Sequence, residues 1–339
     1  MVTYLFGAGA SRNAVPIIED LKKSMLEEKT KLRLDFKPID ESLIVNKVEY
    51  PIENVFNKFI EDFDWVTEKV EAHQSVDTFA KKLYIRGEFE LLKKLKTIMS
   101  IYFLIIQSKN KVDARYDGFF ASILQENHLH FPSNLRVLTW NYDYQFEKAY
   151  AEYSSDYRFE ACQTSLNIYS KNSRAPSFNG DRFGIIKLNG TASLVLDLDK
   201  SYPHYVINSV NESYNPDLFK LLLGNYASMH YSKKTKDKLL SSISFAWEDY
   251  SQGIVAVKNA IKATEETEIL VVIGYSFPFF NRFVDRDIIK PMKKLKKVYF
   301  QAPDAEKLKE RFLSIRNDLK EDNLVIRKDV DQFVFPNEL

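Results

Sequence analysis

Val2-Thr3-Tyr4-Leu5-Phe6-Gly7-Ala8-Gly9-Ala10-Ser11 is the stretch whose reading decides the fold. Five residues of strand-forming type run into Gly-Ala-Gly-Ala-Ser, and a helical pattern begins after Pro16. A strand that ends in a Gly-x-Gly turn before a helix brings backbone N–H groups and a helix N-terminus up to a phosphate. Gly7 and Gly9 remove the Cβ atoms that would obstruct a tight turn and a close backbone approach. Ser11 can cap the helix or donate to a phosphate oxygen. Arg12 stands where a dinucleotide fingerprint has its third glycine, so the motif alone also fits an ordinary βα turn.

Composition narrows the partners. The chain has 339 residues, enough for one large or two medium domains, with 45% hydrophobic and 28% charged residues. A formal net charge of +1 gives no support for a nucleic-acid or membrane partner. Cys162, the sole cysteine, excludes a disulfide framework and any multi-cysteine zinc site. The histidines His73, His128, His130, His204 and His230 show no ligand spacing, so no metal is expected. No apolar run reaches membrane-spanning length, and a strand starting at residue 2 leaves no room for a leader, so a cytoplasmic protein is expected.

Outward from the opening stretch, Ile17, Ile18, Leu21, Met25 and Leu26 mark one helix face as far as about residue 31. Residues 31–50 lose that period and read as a loop or short hairpin. Residues 51–129 read as helical, with segments opening at Pro51, Ser75, Glu88 and Tyr116. Strands resume at Leu135–Trp140, Gly184–Leu188, Glu268–Ile273 and Val298–Gln301, the region 213–265 between them reading as mainly helical. Strands alternating with helices predict an α/β fold: a Rossmann-like, doubly wound, mainly parallel sheet with a large helical insertion. On this reading residues 1–30 and 130–339 form the α/β domain, and 31–129 an inserted, mainly helical subdomain. The lysines Lys293, Lys294, Lys296 and Lys297 read as a solvated face.

Ten glycines occur in all, and Gly7, Gly9, Gly190 and Gly274 each sit at or just past the end of a strand-like run. Four strand ends thus carry small or polar residues: Gly7–Ser11, Thr139–Asp143, Asn189–Thr191 and Gly274–Ser276. In an open α/β sheet these ends converge on one crevice. They offer backbone donors for phosphate, Asn141 and Asp143 for ribose hydroxyls or a water, and Ser276 for a second phosphate or ribose.

Here the chain resembles the sirtuin family. Gly7-Ala-Gly-Ala-Ser11 with Val15–Pro16 is similar to the sirtuin phosphate loop, Gly-Ala-Gly-x-Ser then Ile-Pro. Thr139-Trp-Asn-Tyr-Asp143 resembles Thr-Gln-Asn-Ile-Asp, whose Asn and Asp face nicotinamide and its ribose. Lys187-Leu-Asn-Gly190 falls where the family has a strand leading into a catalytic His-Gly, and Gly274-Tyr275-Ser276 resembles its adenosine-side Gly-Thr-Ser. Gln301 takes the place of a late Asn near adenine. The resemblance implies NAD as substrate or ligand, held by Gly7, Ala8, Gly9, Ala10, Ser11, Thr139, Gly190, Gly274, Tyr275, Ser276 and Gln301.

Two departures steer the reading. One cysteine cannot build the four-cysteine zinc ribbon of deacylase sirtuins, so the chain looks closer to the ribbon-free, sirtuin-like NAD-hydrolysing proteins of bacterial antiphage defence. Asn189 replaces the catalytic histidine, and an amide cannot take a proton near neutral pH. The resemblance then implies an NAD+ glycohydrolase in which Asn141 orients water or a ribose hydroxyl, Asp143 stabilises developing positive charge and Asn189 bonds the ribose. The alternative is a catalytically weak or inactive NAD or ADP-ribose sensor, or an assembly module acting with a partner such as an ATPase, with homo-oligomers allowed in either case. His204 is a candidate substitute base, Ser75 or Asp77 a helix cap, and Asp285 and Asp287 surface or capping charges.

Overall fold

The computed structural model describes residues 1–37, 41–45, 47–73, 75–124, 130–170, 180–197, 204–231, 239–248 and 255–339. In chain order, β1 (Val2–Phe6) leads through a 3-10 turn at Ala8–Ser11 into α1 (Ile18–Asp35). A hairpin of β2 (Ser42–Val45) and β3 (Val48–Pro51) precedes α2 (Ile52–Ala72), α3 (Val76–Ile85), α4 (Phe89–Lys109) and α5 (Ala114–Ile123). Then come β4 (Leu135–Thr139), α6 (Gln145–Ser154), α7 (Phe159–Ser165), β5 (Ile168–Ser170) and β6 (Gly184–Lys187). They are followed by β7 (Leu194–Asp197), β8 (His204–Tyr205), α8 (Pro216–Tyr231) and β9 (Leu239–Ser241). The last stretch holds α9 (Val255–Thr264), β10 (Ile269–Ile273), α10 (Arg282–Ile289), β11 (Lys297–Gln301), α11 (Ala305–Leu313) and β12 (Leu324–Arg327).

Contacts divide the chain into two compact units. The α/β unit comprises Met1–Ala14, Val112–Thr191 and Ser244–Leu339; the helical unit comprises Val15–Lys111 and Ala192–Ile243.

In the α/β unit seven strands lie in the order β12-β11-β10-β1-β4-β6-β5, and every pairing among the described residues is parallel. The doubly wound α/β sheet expected from the sequence is therefore present. All five residues of β1 are buried, as a strand covered on both faces requires. Leu5 faces Leu138, Ile186, Val272 and Phe300, under a layer of Ala256, Ala260, Val284, Ile288 and Phe312 from α9, α10 and α11. Tyr4 and Phe6 point the other way, into an aromatic cluster. Phe119 lies 5.2 Å from Tyr4, and Phe146 and Phe333 lie 5.1 and 5.2 Å from Phe6. This period-2 alternation, apolar on both sides, fixes the register.

The chain builds outward from β1 through β4 and β6 on one side, then crosses back to β10, β11 and β12 on the other. The carboxyl ends of β1 and β10 therefore flank a topological switch point, where open α/β sheets form their crevices. There the two turns meet backbone to backbone. Gly7 N–H donates to Ile273 O at 2.9 Å, Gly9 N–H to Gly274 O at 3.1 Å, and Gly274 N–H to Gln301 O at 2.9 Å.

In the helical unit α2 buries Val55, Phe59, Phe63 and Val66 at helical spacing, and α4 buries Leu95, Ile98, Tyr102 and Ile105. Ser75 caps α3, its hydroxyl accepting from Thr78 N–H at 3.1 Å. β2 and β3 form the short hairpin, and β8, β7 and β9 a small antiparallel sheet. α1 runs on to Asp35 because Leu32 extends the buried stripe of Leu21, Met25 and Glu28. Strands β5, β7, β8, β9 and β12 and helix α7 escape a reading by periodicity: strands of two to four residues complete too few alternations. The expectations for residues 38–40, 125 and 126 and for His128 lie outside the described residues.

A Cβ on Gly274, whose φ is +57°, would lie 2.6 Å from Gly9 Cα and from Ala10 N. Gly274→Ala combines this overlap with a left-handed backbone and should cost about 2–4 kcal/mol in denaturant unfolding. Gly180→Ala, with nothing within 4 Å of the added methyl, should leave the midpoint unchanged. Equal midpoints for the two variants would refute the loop-against-loop account.

Candidate active site

The end of β4 is folded back onto the β1 turn by its own side chains. Thr139 Oγ1 accepts from Asn141 N–H at 3.1 Å. Asn141 Nδ2 then donates to Gly7 O at 3.0 Å and to Ser11 Oγ at 3.1 Å. Ser11 Oγ also lies 2.7 Å from the Tyr116 hydroxyl of α5. Two strand ends expected to converge are thus joined by side-chain bonds, and Asn141 and Ser11 are both buried.

Asp143 lies just ahead of α6, its Oδ1 accepting from Gln145 N–H at 3.2 Å. Burial pushes its carboxyl up, against the Ser11 hydroxyl and the Lys187 charge, and the net displacement is upward from the usual carboxylate range. Lys187, the last residue of β6, is 1% exposed. Its ammonium donates to Asp143 O at 2.8 Å and to Glu147 Oε1 at 2.6 Å, and Gln163 Nε2 reaches the same Glu147 oxygen at 3.2 Å. A charge buried this deeply persists only when paired and hydrogen-bonded.

A second buried cation holds the glycine turn from α5. Asp113 caps that helix by accepting from Arg115 N–H at 3.1 Å, and takes the Arg115 guanidinium at 2.9 and 2.5 Å. Burial raises the Asp113 carboxyl, but the Arg115 bonds outweigh it and hold it below the ordinary range. The remaining guanidinium N–H groups donate to Ala10 O at 3.0 Å, Gly9 O at 3.4 Å and Val330 O at 3.3 Å.

The other two strand ends close the ring. Asn189 Nδ2 donates to Trp140 O at 3.2 Å, and its backbone carbonyl accepts from Ser244 N–H at 2.8 Å. Gly190 follows with φ +74°, and Thr191 Oγ1 reaches Tyr142 O at 3.4 Å. Tyr275 stacks on Trp140 with centroids 5.4 Å apart, and its hydroxyl donates to Asp285, 2.9 Å from both oxygens. Asp285 is buried, which drives its carboxyl well up, so the surface role expected for it is replaced by this contact.

Of the candidate ligand-binding residues, Gly7, Gly9, Ala10, Ser11, Thr139, Asn141, Gly274 and Tyr275 form one connected patch. Within it the Gly7, Gly9 and Ala10 N–H groups already donate to backbone carbonyls. The Cβ direction at Gly7 and Gly9 is occupied by Gly274 and Tyr275, so those glycines serve the packing of the two turns. Ala8 is the exposed residue of the turn. Ser276 is exposed on the rim, its carbonyl accepting from Arg311 at 2.6 Å. Gln301 is spent on the C-terminal segment: Nε2 donates to Asp329 O at 2.7 Å and Gln332 O at 2.6 Å, and Oε1 accepts from Val334 N–H at 3.0 Å.

His204 lies in the helical unit on β8, 3.7 Å from Asp197. Asp77 sits in the first turn of α3. Burial pushes the Cys162 thiol up to about 12, which leaves it protonated and unreactive at neutral pH. Among the described residues no group of three His, Cys, Asp or Glu is placed to hold a metal ion. On the sequence alone Arg115, Tyr116, Glu147 and Lys187 have no role at the site, although Tyr116 marks a helix start and Lys187 part of a strand end. The signal for Lys187 is present, a lysine inside the apolar run Gly184-Ile-Ile-Lys-Leu188.

No family model matches the chain, and no curated protein matches it. Among solved structures it is similar to a Sir2 homologue–NAD complex, at 14% identity and a TM-score of 0.40, over 93% of this chain and 89% of that one. An ADP-ribose complex of a mutant Sir2 homologue aligns at 11% identity and a TM-score of 0.40, over 93% and 92%. Sir2Tm bound to a propionylated peptide aligns at 12% identity and a TM-score of 0.39, over 98% and 88%.

Asp143 gives a test of the buried network. Because its folded-state pKa is raised, the stability contributed by the neutral carboxyl is present at low pH and is lost as pH rises through the folded pKa. Asp143→Asn should therefore melt no lower than wild type at about pH 7, with the difference closing toward about pH 4. A fall of several degrees at neutral pH would show that the carboxylate itself holds the fold.

Proposed function

We propose that the α/β unit binds NAD at the carboxyl ends of β1, β4, β6 and β10. The protein, on this proposal, is an NAD+ glycohydrolase of the ribbon-free, sirtuin-like type, acting as an effector in bacterial antiphage defence. The observation that carries the proposal is the convergence of Gly7–Ser11, Thr139–Asp143 and Gly274–Tyr275 at the switch point, with Asn141 bonded to the glycine turn.

The chemistry asked of these residues is modest. Water adds to the ribose anomeric carbon while the bond to nicotinamide breaks, nicotinamide leaves with the electron pair, and the water's proton passes to solvent. Nicotinamide is a good leaving group, so positioning and electrostatics dominate. Asn141 orients the water or a ribose hydroxyl. Asp143, drawn to its charged form by the cationic substrate, stabilises positive charge in the oxocarbenium-like state. Asn189 donates a hydrogen bond to the ribose and takes no proton.

The sensor reading has an observation of its own. Asn141, Asp143 and Asn189 are all buried and bonded within the protein, as suits a module that holds NAD or ADP-ribose without turning it over. Chromatography of nicotinamide release, with and without a candidate partner protein, separates the two. Turnover that falls about 100-fold or more in folded Asn141→Ala supports the enzyme. Asn189→Ala should cost less, about 1–3 kcal/mol for one buried hydrogen bond. NAD binding by calorimetry without release makes the protein a sensor. Ala8→Asp tests binding at an exposed position of the turn, because its carboxylate repels a pyrophosphate without entering the loop contact. Unchanged NAD affinity in Ala8→Asp would remove the phosphate-loop reading.

A further inference from the structure

Two buried polar side chains stand behind the strand ends of the α/β unit. Asp285, 2% exposed, lies on the face of α10 that buries Val284 and Ile288. Asn281, immediately before α10, is buried as well. Both meet one atom, the Tyr275 hydroxyl. It accepts from Asn281 Nδ2 at 3.2 Å and donates to Asp285, whose two oxygens each lie at 2.9 Å. Packing alone does not ask for this set. An apolar residue at 285 would cover the same face of α10 without the cost of desolvating a carboxyl group. What the two groups supply is direction, because a hydroxyl bonded on both sides has one arrangement and holds its ring in one plane.

What that ring holds in turn is Trp140. The two rings lie parallel, with centroids 5.4 Å apart and 9° between their planes. Trp140 Nε1 is buried and makes no hydrogen bond among the described residues, so the indole takes its orientation from packing. Its backbone carbonyl accepts from Asn189 Nδ2 at 3.2 Å, and the next residue along the chain is Asn141. Tyr275 therefore touches both halves of the candidate site. Its Cα and Cβ lie against Gly7 of the glycine turn, while its ring lies against the residue that holds Asn189. The backbone contact does not need the hydroxyl. The plane of the stacked ring does.

We propose that Asp285 is a positioning residue: through the Tyr275 hydroxyl it sets the Trp140 stack, and with it Asn189, so that it governs recognition of the ligand's distal ribose and not of its diphosphate. The inference rests on the NAD reading above, in which Asn189 bonds the ribose attached to nicotinamide. ADP carries the diphosphate without that ribose and ADP-ribose carries both, so calorimetry with the two ligands separates the halves of the site without requiring turnover. Tyr275→Phe keeps the ring but frees it from Asp285 and Asn281. It should weaken ADP-ribose binding by about tenfold and leave ADP within about twofold of wild type. Asp285→Leu should do the same, and the double variant should bind no more weakly than either single one, because both break one connection. Asp285→Asn keeps an oxygen that accepts from Tyr275 and should hold both ligands within about twofold of wild type. Equal losses for ADP and ADP-ribose, no loss for ADP-ribose, or additive losses in the double variant overturn the positioning role and leave the NAD reading standing. A wild type that binds neither ligand removes the NAD reading and this inference with it. Should Asp285→Leu fail to fold, Tyr275→Phe decides alone.

Discussion

The carboxyl edge of the sheet depends on one contact, the backbone of the Gly7–Ala10 turn lying directly against the backbone of Gly274 and Tyr275. The atoms are so close that a Cβ at Gly7 would fall 2.5 Å from Tyr275 Cα. Backbone groups at this separation must hydrogen-bond or repel, and here Gly9 N–H finds Gly274 O. The contact sets how far apart β1 and β10 end, and so sets the position of every side chain that projects from the two turns. A glycine-rich turn after a strand has two physical uses, approach of a ligand and approach of another backbone. At Gly7 and Gly9 the second is realised.

Around this contact the polar groups form a buried lattice. Asn141, Ser11 and Tyr116 link the β1 turn to α5, while Lys187 and Glu147 link β6 to α6. Such lattices add little net stability over an apolar core, because desolvation offsets most of what the pairs return. Their effect is geometric: each member has few alternative partners, so the strand ends hold one arrangement. The same property suits a site that must stabilise charge without reorganising. Asp143 stands at the junction, raised by burial and held by Ser11, Gln145 and Lys187.

The C-terminal segment belongs to the same construction. Gln301 holds it by three bonds, Arg115 reaches Val330 O, and the Tyr4 hydroxyl donates to Val334 O at 2.9 Å. Phe333 fills the aromatic face beside Phe6 and Tyr116, beneath the Arg115 guanidinium. The C-terminal segment thus completes the cover on one face of the sheet, with the Phe333 ring packed against Phe6 and Tyr116.

By itself the sequence determined what is local. Apolar-rich runs announced β1, β4, β10 and β11, glycine after β1 and β10 announced their turns, and the 3.6-residue period announced α2 and α4. From strand–helix alternation followed the parallel sheet, and from the sheet followed the convergence of Gly7, Asn141 and Gly274. Tertiary structure alone decided which groups those ends would spend on one another. Arg115 reaches Ala10 across 105 positions of chain, Asn141 reaches Gly7 across 134, and Gln301 closes on residues that carry no motif. Local pattern encodes burial and backbone shape, but a hydrogen bond between distant residues exists only once the sheet has placed them together. For that reason the strand ends were legible in advance, and the lattice that occupies them was not.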